Sequence, residues 1–330
     1  MESEILDYNL EYISCYLCGS KDFEVWTVAR DLLHKIPGEF RVVRCSQCGL
    51  VYLNPRPTAE TLSSLYPKDY GPHQILGKHK SRRISLIYHL ILSNFYNYPG
   101  RCSAFLKFVL WPFFLRTIWY SKKVRIIPFI GDGKLLDVGC GNGAFLFFMK
   151  DLGWDVYGVE PNENSVRYAH DELGLRNVKK GMLLDQAYKE QQFDVVTLWH
   201  ALEHMPNPRE VLQEIHRILR PDGLLLIAVP NIQSYAAKRF KDLWYALDAP
   251  RHLIHFSPDT LSYFLKTTDF RLKEIRQERR LSSLQISLKR ENKFTSRFMA
   301  NHRYILRVWN LIIQIRKQSD IMIAFATPRN

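Results

Sequence analysis

Hydrophobic and polar positions divide the chain into differently patterned stretches. From Lys134 onward, short apolar runs alternate with segments of helical period, the pattern of a parallel sheet with helices on both faces. Residues 135–138, 155–159, 177–180, 193–198 and 224–229 read as strands. Residues 144–152 read as a helix stopped by Gly153, and Pro161 with Asn162 opens a second that reaches Leu173. Asn207 is placed to cap a third, with Pro208 at its first position and Val211, Leu212, Ile215, Ile218 and Leu219 on its buried face. Pro221-Asp222-Gly223 reads as the turn into the fifth strand, and Ser257 with Pro258 opens a further helix. A last strand is expected over residues 321–326.

Two other stretches are apolar at helical spacing but basic. Residues 82–96 put Ile84, Ile87, Tyr88, Ile91 and Phe95 on one helical face. Residues 104–120 are apolar nearly all round and carry seven aromatics, but Lys107, Pro112 and Arg116 interrupt them, so no membrane-spanning helix is expected. Near the C terminus Tyr304, Ile305, Val308, Trp309, Ile312 and Ile315 recur among Arg303, Arg307, Arg316 and Lys317. The net charge of +13 sits in these stretches: residues 70–131 hold ten Lys/Arg and no acid, and residues 271–317 hold thirteen against three. A localised anionic partner follows more naturally than general solubility. Apolar, aromatic-rich helices flanked by Lys/Arg suit an anionic membrane surface. The alternatives are a helical lid, a homodimer face, and nucleic acid. Nucleic acid suits the pattern less well, because Leu106, Leu110, Ile312 and Ile313 are interleaved with the basic residues. Met1-Glu2-Ser3-Glu4 is acidic where a secretory signal is basic, so a cytoplasmic chain, peripheral to the inner face of the cell membrane, is expected.

Candidate chemistry begins at Asp137-Val138-Gly139-Cys140-Gly141-Asn142-Gly143, a strand running through a glycine turn into a helix. Glycines let backbone N–H groups approach a ligand closely, and the spacing differs from that of a dinucleotide loop. A carboxylate at the strand end suits an ammonium group, which favours S-adenosylmethionine (SAM) over a pyrophosphate cofactor. Glu160 ends the next strand, about twenty residues on, where a carboxylate accepts both ribose hydroxyls of a nucleoside. Pro161 follows it. Leu183 lies in the stretch that lines a nucleobase in such folds, with plain core packing as the alternative, and Trp199 and His200 fall on the same sheet edge. Cys15/Cys18 and Cys45/Cys48 form two Cys-x-x-Cys-Gly units, and together they supply four thiolates for a structural zinc. Paired disulfides or redox dithiols are the alternative.

Leu136–Gly143, Val156–Pro161, Phe193–Pro208, Ile218–Asn231 and Pro250–Thr260 resemble the class I SAM-dependent methyltransferases. With the double Cys-x-x-Cys-Gly unit, the chain looks like the subgroup found in bacterial surface-polysaccharide and modified-sugar pathways. The resemblance implies a Rossmann-like, seven-stranded doubly wound α/β sheet with a small zinc module and helical insertions. The corresponding divisions are residues 1–70 for the zinc module, 71–131 for a basic helical linker or lid, 132–275 for the SAM-binding core, and 276–330 for a basic insert and last strand. It implies methylation of oxygen or carbon on a sugar, nucleotide-sugar or lipid-linked glycan, with an RNA methyltransferase as the alternative. Their spacing puts His200, Glu203 and His204 on one helical face, and by resemblance to O-methyltransferases with a Glu-His pair they would form a base or a weak divalent-cation site; the alternative is that they only brace the cofactor loop. By resemblance to sugar methyltransferases with a zinc module, His252 would be a base near the acceptor. Arg251 would then hold an anionic substrate group, and His255 is expected to be structural.

Overall fold

The computed structural model describes residues 9–66, 86–100, 103, 105, 108–109, 111, 127–278 and 280–329. The N-terminal part contains β1 (Leu10–Glu11), β2 (Phe23–Ala29), β3 (Phe40–Cys45), β4 (Val51–Leu53), β5 (Arg56–Pro57) and α1 (Ala59–Ser64), followed by α2 (Leu86–Phe95). The α/β part runs β6 (Lys134–Val138), α3 (Ala144–Asp151), β7 (Asp155–Glu160), α4 (Glu163–Asp171), β8 (Val178–Lys180), β9 (Phe193–Trp199), α5 (Pro208–Ile218) and β10 (Leu219–Pro230). It continues through α6 (Tyr235–Phe240), β11 (Ile254–His255), α7 (Pro258–Lys266), β12 (Phe270–Glu278), α8 (Leu281–Arg290), α9 (Phe294–Asn301), α10 (Arg303–Ile315) and β13 (Ile321–Pro328).

The seven-stranded sheet has the order β12-β13-β10-β9-β6-β7-β8. Strands β6 to β10 are parallel, as the alternating pattern requires, and Leu135, Leu136, Val195, Val196, Leu225 and Ile227 are all buried because helices cover both faces. The sheet is nevertheless mixed: β13 runs antiparallel to both β10 and β12. It enters from α10 at the carboxyl end of β10, so Ile321 pairs with Pro230 and the strand returns downward. Ser257 caps α7 as expected, its hydroxyl accepting the Thr260 N–H at 3.1 Å. Asn207 precedes α5 without a side-chain cap bond. Pro221-Asp222-Gly223 lies within β10 as a register irregularity between Leu219 and Leu224. The order changes direction at β6, which lies between β7 and β9, and ligands of such sheets bind beyond the strand ends at that point.

The N-terminal strands do not close on themselves. Their four-stranded sheet has the order β11-β4-β3-β2, and β11 arrives from beyond β10 of the α/β part. Ile254 pairs with Tyr52 and His255 with Val51. Val42, Val43, Leu50, Val51, Tyr52 and Leu53 are buried in the same apolar cluster as Leu253, Ile254 and Phe256. About fifty residues bury too little apolar surface alone, and here the deficit is met by sharing a core. Among the described residues, no helix is long and apolar enough to cross a membrane. The expected helix over 82–96 is seen from Leu86, with Ile91 and Leu92 buried; Ile84, Cys102, Lys122, Lys123 and Arg125 lie outside the described residues.

Candidate active site

The glycine turn between β6 and α3 is held against the neighbouring strand. The N–H groups of Gly139 and Cys140 donate to the Val159 carbonyl at 2.8 and 3.2 Å. The Glu160 carboxylate accepts the Gly141 N–H through Oε2 and the Asn162 N–H through Oε1, each at 2.9 Å. Gly139 has φ +73°, and a Cβ there would stand 2.9 Å from the Ala201 Cβ, so only glycine lets the loop after β9 close on the turn. Asn142 Oδ1 accepts the Ala144 N–H at 3.1 Å and ties off one orphan donor at the start of α3. Asp137 is buried in β6 and accepts the Thr197 hydroxyl at 2.6 Å. Leu183 is buried in the turn after β8, Pro161 is exposed beside Glu160, and half-buried Trp199 packs edge-on to Phe145 at 5.4 Å.

These residues fit SAM. Two buried carboxylates end adjacent parallel strands beside a turn whose backbone N–H groups are already ordered. The Glu160 carboxylate, fixed by the Gly141 and Asn162 N–H groups at the end of its strand, stands where a carboxylate accepts the vicinal diol of a ribose. Asp137 offers negative charge to an ammonium group, and Leu183 and Trp199 offer apolar walls.

His200 follows β9 at φ +56°, so residues 200–204 do not form the helical face inferred from their spacing; Leu202–His204 is one tight turn. The turn still gathers the expected groups. Glu203, His204 and His252 each bring a ligand atom within 4.8 Å of the others, and His200 Nδ1 lies 3.3 Å from Glu203 Oε1. The His204 and His252 rings meet edge to face at 4.6 Å. His252 Nδ1 lies 2.9 Å from the Ala246 carbonyl, which only accepts, so Nδ1 carries the proton and Nε2 keeps its lone pair. By the same reasoning His204 Nδ1, 3.1 Å from the Arg251 carbonyl, is protonated; the Tyr66 hydroxyl is 3.0 Å from that nitrogen. Burial, reinforced by the charge of His252, lowers the His204 pKa to about 4. Burial also lowers His252, against the pull of Asp248, and raises Glu203 despite the two histidines. His255 is buried too and held neutral, its pKa pushed down to about 3.

Arg251 is placed differently from the expectation. Its guanidinium is fully buried, held by Asp31 at 2.7 and 2.9 Å and again by Asp248, so no open face is left for an anionic substrate group. Asp31, Asp248 and Tyr66 escaped the sequence reading. Asp31 stands in a loop 220 residues from its partner, and nothing local marks that pairing.

Residues 114–275 match the family model described as a methyltransferase domain. This stretch is a methyltransferase domain. Over 126 residues the chain is 31% identical to a ubiquinone biosynthesis O-methyltransferase of Pseudomonas aeruginosa (strain UCBPP-PA14), covering 36% of this chain and 51% of that one. A ubiquinone biosynthesis O-methyltransferase of Glaesserella parasuis serovar 5 (strain SH0165) is 32% identical over 107 residues, covering 30% and 45%. The chain thus spans about half the length of the curated relatives it matches. A solved SAM dependent methyltransferase from Archaeoglobus fulgidus is 24% identical with a TM-score of 0.45, covering 68% of this chain and 100% of that one.

Beside the methyltransferase domain, the four cysteines converge. Cys15 and Cys48 sulfurs lie 3.5 Å apart, as do those of Cys18 and Cys45, and all four fall within 4.8 Å of one another. Those separations exceed a disulfide bond and approach the edge of about 3.8 Å expected for a tetrahedron with Zn–S near 2.3 Å. Gly19 and Gly49, both at φ +74°, turn the chain so that their N–H groups donate to the Cys15 and Cys45 carbonyls. Burial pushes Cys15 up to about 11, whereas N–H groups of Cys48 and Gln47 overcome burial and bring Cys45 down to about 7. The donor set fits zinc, with no open position for catalysis.

Proposed function

We propose that the chain is a SAM-dependent methyltransferase that methylates oxygen or carbon on a sugar-type acceptor, a nucleotide-sugar or a lipid-linked glycan. The observation that carries this reading is the cluster of Glu203, His204 and His252 on the sheet edge that holds the glycine turn. The O-methyltransferase names of the relatives support an oxygen acceptor, and the double Cys-x-x-Cys-Gly unit supports a sugar. Bound SAM supplies a sulfonium-activated methyl group for in-line displacement. Asp137 would hold its ammonium group, Glu160 its ribose hydroxyls, and Leu183 and Trp199 would flank the base. His252 Nε2 takes the proton of the acceptor as its bond to the methyl carbon forms. Asp248, whose carboxyl is held low and whose Oδ2 lies 3.9 Å from Nε2, then stabilises the imidazolium, while the Ala246 carbonyl holds Nδ1 and the orientation of the ring. Positioning supplies much of the remaining rate.

The test is release of S-adenosylhomocysteine with a panel of nucleotide-sugars and lipid-linked sugars. His252→Ala should abolish turnover while leaving SAM affinity unchanged; unimpaired turnover would remove His252 from the mechanism. Turnover on RNA but on no sugar would transfer the domain to the RNA-methylating class. Because Glu203, His204 and His252 offer three ligand atoms within 4.8 Å, a divalent cation is the competing occupant of the cluster. Turnover that chelation abolishes and Mg²⁺ restores would assign it there.

A further inference from the structure

The surface formed by α9 and α10 has no part in the site described above. One face of α10 is packed inward: Leu306, Asn310 and Ile313 are buried, and Trp309 lies 5.5 Å from the Tyr235 ring. The opposite stripe is apolar as well. Tyr304, Val308 and Ile315 are 82%, 60% and 72% exposed, Leu311 and Ile312 lie between them, and Phe294 on α9 is 83% exposed. A stripe at positions i, i+4, i+7, i+8 and i+11 is what a helix presents to an apolar partner.

The charge around that stripe has one sign. Residues 292–319 contain six Lys/Arg and no Asp or Glu. Arg297, Arg307, Arg316 and Lys317 are exposed. The acid just before the segment, Glu291, is occupied by Arg239, Lys293 and Ser296. The position of the surface matters equally. Because α10 feeds β13 at Ile321, opposite Pro230, it lies at the carboxyl edge of the sheet, where the glycine turn and the Glu203 cluster also lie.

We propose that α9 and α10 are a docking face for an anionic lipid bilayer. Tyr304, Val308 and Ile315 enter the headgroup–acyl boundary, and Arg297, Arg307, Arg316 and Lys317 meet lipid phosphates. Charge decides against a second copy of the chain. A two-fold interface would set the same acid-free face against itself, and like charges brought together oppose association. RNA would need a polar groove with stacking rings rather than a stripe of Val, Leu and Ile. The inference goes beyond the proposed reaction and stands or falls without it.

The experiment uses the full chain and needs no substrate. Vesicles of phosphatidylglycerol and phosphatidylcholine should co-sediment it, phosphatidylcholine vesicles should not, and added salt should release it. Arg307→Glu with Arg316→Glu should lower the partition coefficient about 30-fold or more. Val308→Asp with Ile315→Asp should lower it at least about tenfold, with the thermal melt of both variants unchanged. Absence of binding at low salt would overturn the proposal. So would equal binding by both variants, or a dimer broken by these substitutions in a protein that ignores vesicles.

Discussion

Asp31→Asn should damage methyl transfer from outside the methyltransferase domain. The wild-type carboxylate and the Arg251 guanidinium are 1% and 0% exposed and joined by two hydrogen bonds. Asp31 also accepts the N–H groups of Leu33 and His34 at 2.9 and 3.0 Å. Removing one partner of a buried pair costs about 3–5 kcal/mol, because the remaining charge stays desolvated. Asp248 still holds Arg251, and asparagine keeps an oxygen for the loop N–H groups, so about 3 kcal/mol is expected. That corresponds to a fall in Tm on the order of 6 °C. Catalysis should suffer as well. The Arg251 carbonyl faces His204 Nδ1, and the Arg251 and His252 N–H groups donate to the Asp248 carbonyl, so the pair fixes the loop that carries His252, the proposed base. Displacing a catalytic group by about 1 Å costs up to about a hundredfold in rate, and kcat should fall tenfold or more while SAM affinity holds. Burial alone would raise the Asp31 pKa, but the hydrogen bond from Arg251 and the N–H groups of His34 and Leu33 outweigh it and hold the group low. A depressed carboxyl contributes stability above its unfolded pKa, about 3.9, and loses it as the pH falls through the folded value. Urea unfolding should therefore separate the two proteins at neutral pH and bring them together in acid. A variant with wild-type turnover and less than about 1 kcal/mol of lost stability would refute the reasoning.

Glu160→Ala should weaken SAM binding by about ten- to a hundredfold, because a charged acceptor of two diol hydrogen bonds is removed; titration calorimetry gives the answer, and unchanged affinity would exclude the carboxylate from the pocket. Cys45→Ser should reduce the zinc content below one ion per chain, measured by metal analysis, and lower the thermal stability of the whole chain. Because β11 pairs with β4, a melted N-terminal sheet should also lower turnover. A zinc-free variant with full stability and activity would separate the two parts.

The α/β part was legible because its signals are local. Strands buried on both faces read as apolar runs, the glycine turn as a spacing, and α5 and α10 as periodic stripes. The sulfur cluster was legible for the same reason, since each Cys-x-x-Cys-Gly unit carries its own turn. The reversal of β13 was not, because strand direction depends on where α10 delivers the chain. Arg251 shows the same limit more sharply. Its neighbours His252 and Pro250 mark a site, but whether it faces a ligand or a carboxylate is decided by Asp31, which arrives from a distant loop. The histidine cluster lay between these cases: its membership could be read from the chain, but its geometry depends on a left-handed residue, His200, that periodicity treats as helical.

The pairing of β11 with β4 gives the four-cysteine part a mechanical role that neither half implies alone. The Leu53 N–H donates to the Leu253 carbonyl, and the Leu253 N–H donates in turn to the Glu203 carbonyl, at 2.9 and 2.8 Å. One ladder therefore runs from the strand beyond Cys48 to the residue beside the two imidazoles. His252 is the neighbour of Leu253 on that ladder, and Arg251, one residue further, is clamped from the same side by Asp31. The loop bearing His252, the proposed base, is thus pinned along one edge by backbone bonds and at its end by a buried ion pair, with Leu53 and Asp31 both supplied from outside the methyltransferase domain. Loops are ordinarily the mobile parts of a fold, yet a base must be held to within a fraction of an ångström of its acceptor. A sheet anchored by the four-cysteine cluster, sharing a strand with the domain, meets that requirement without adding any group to the chemistry.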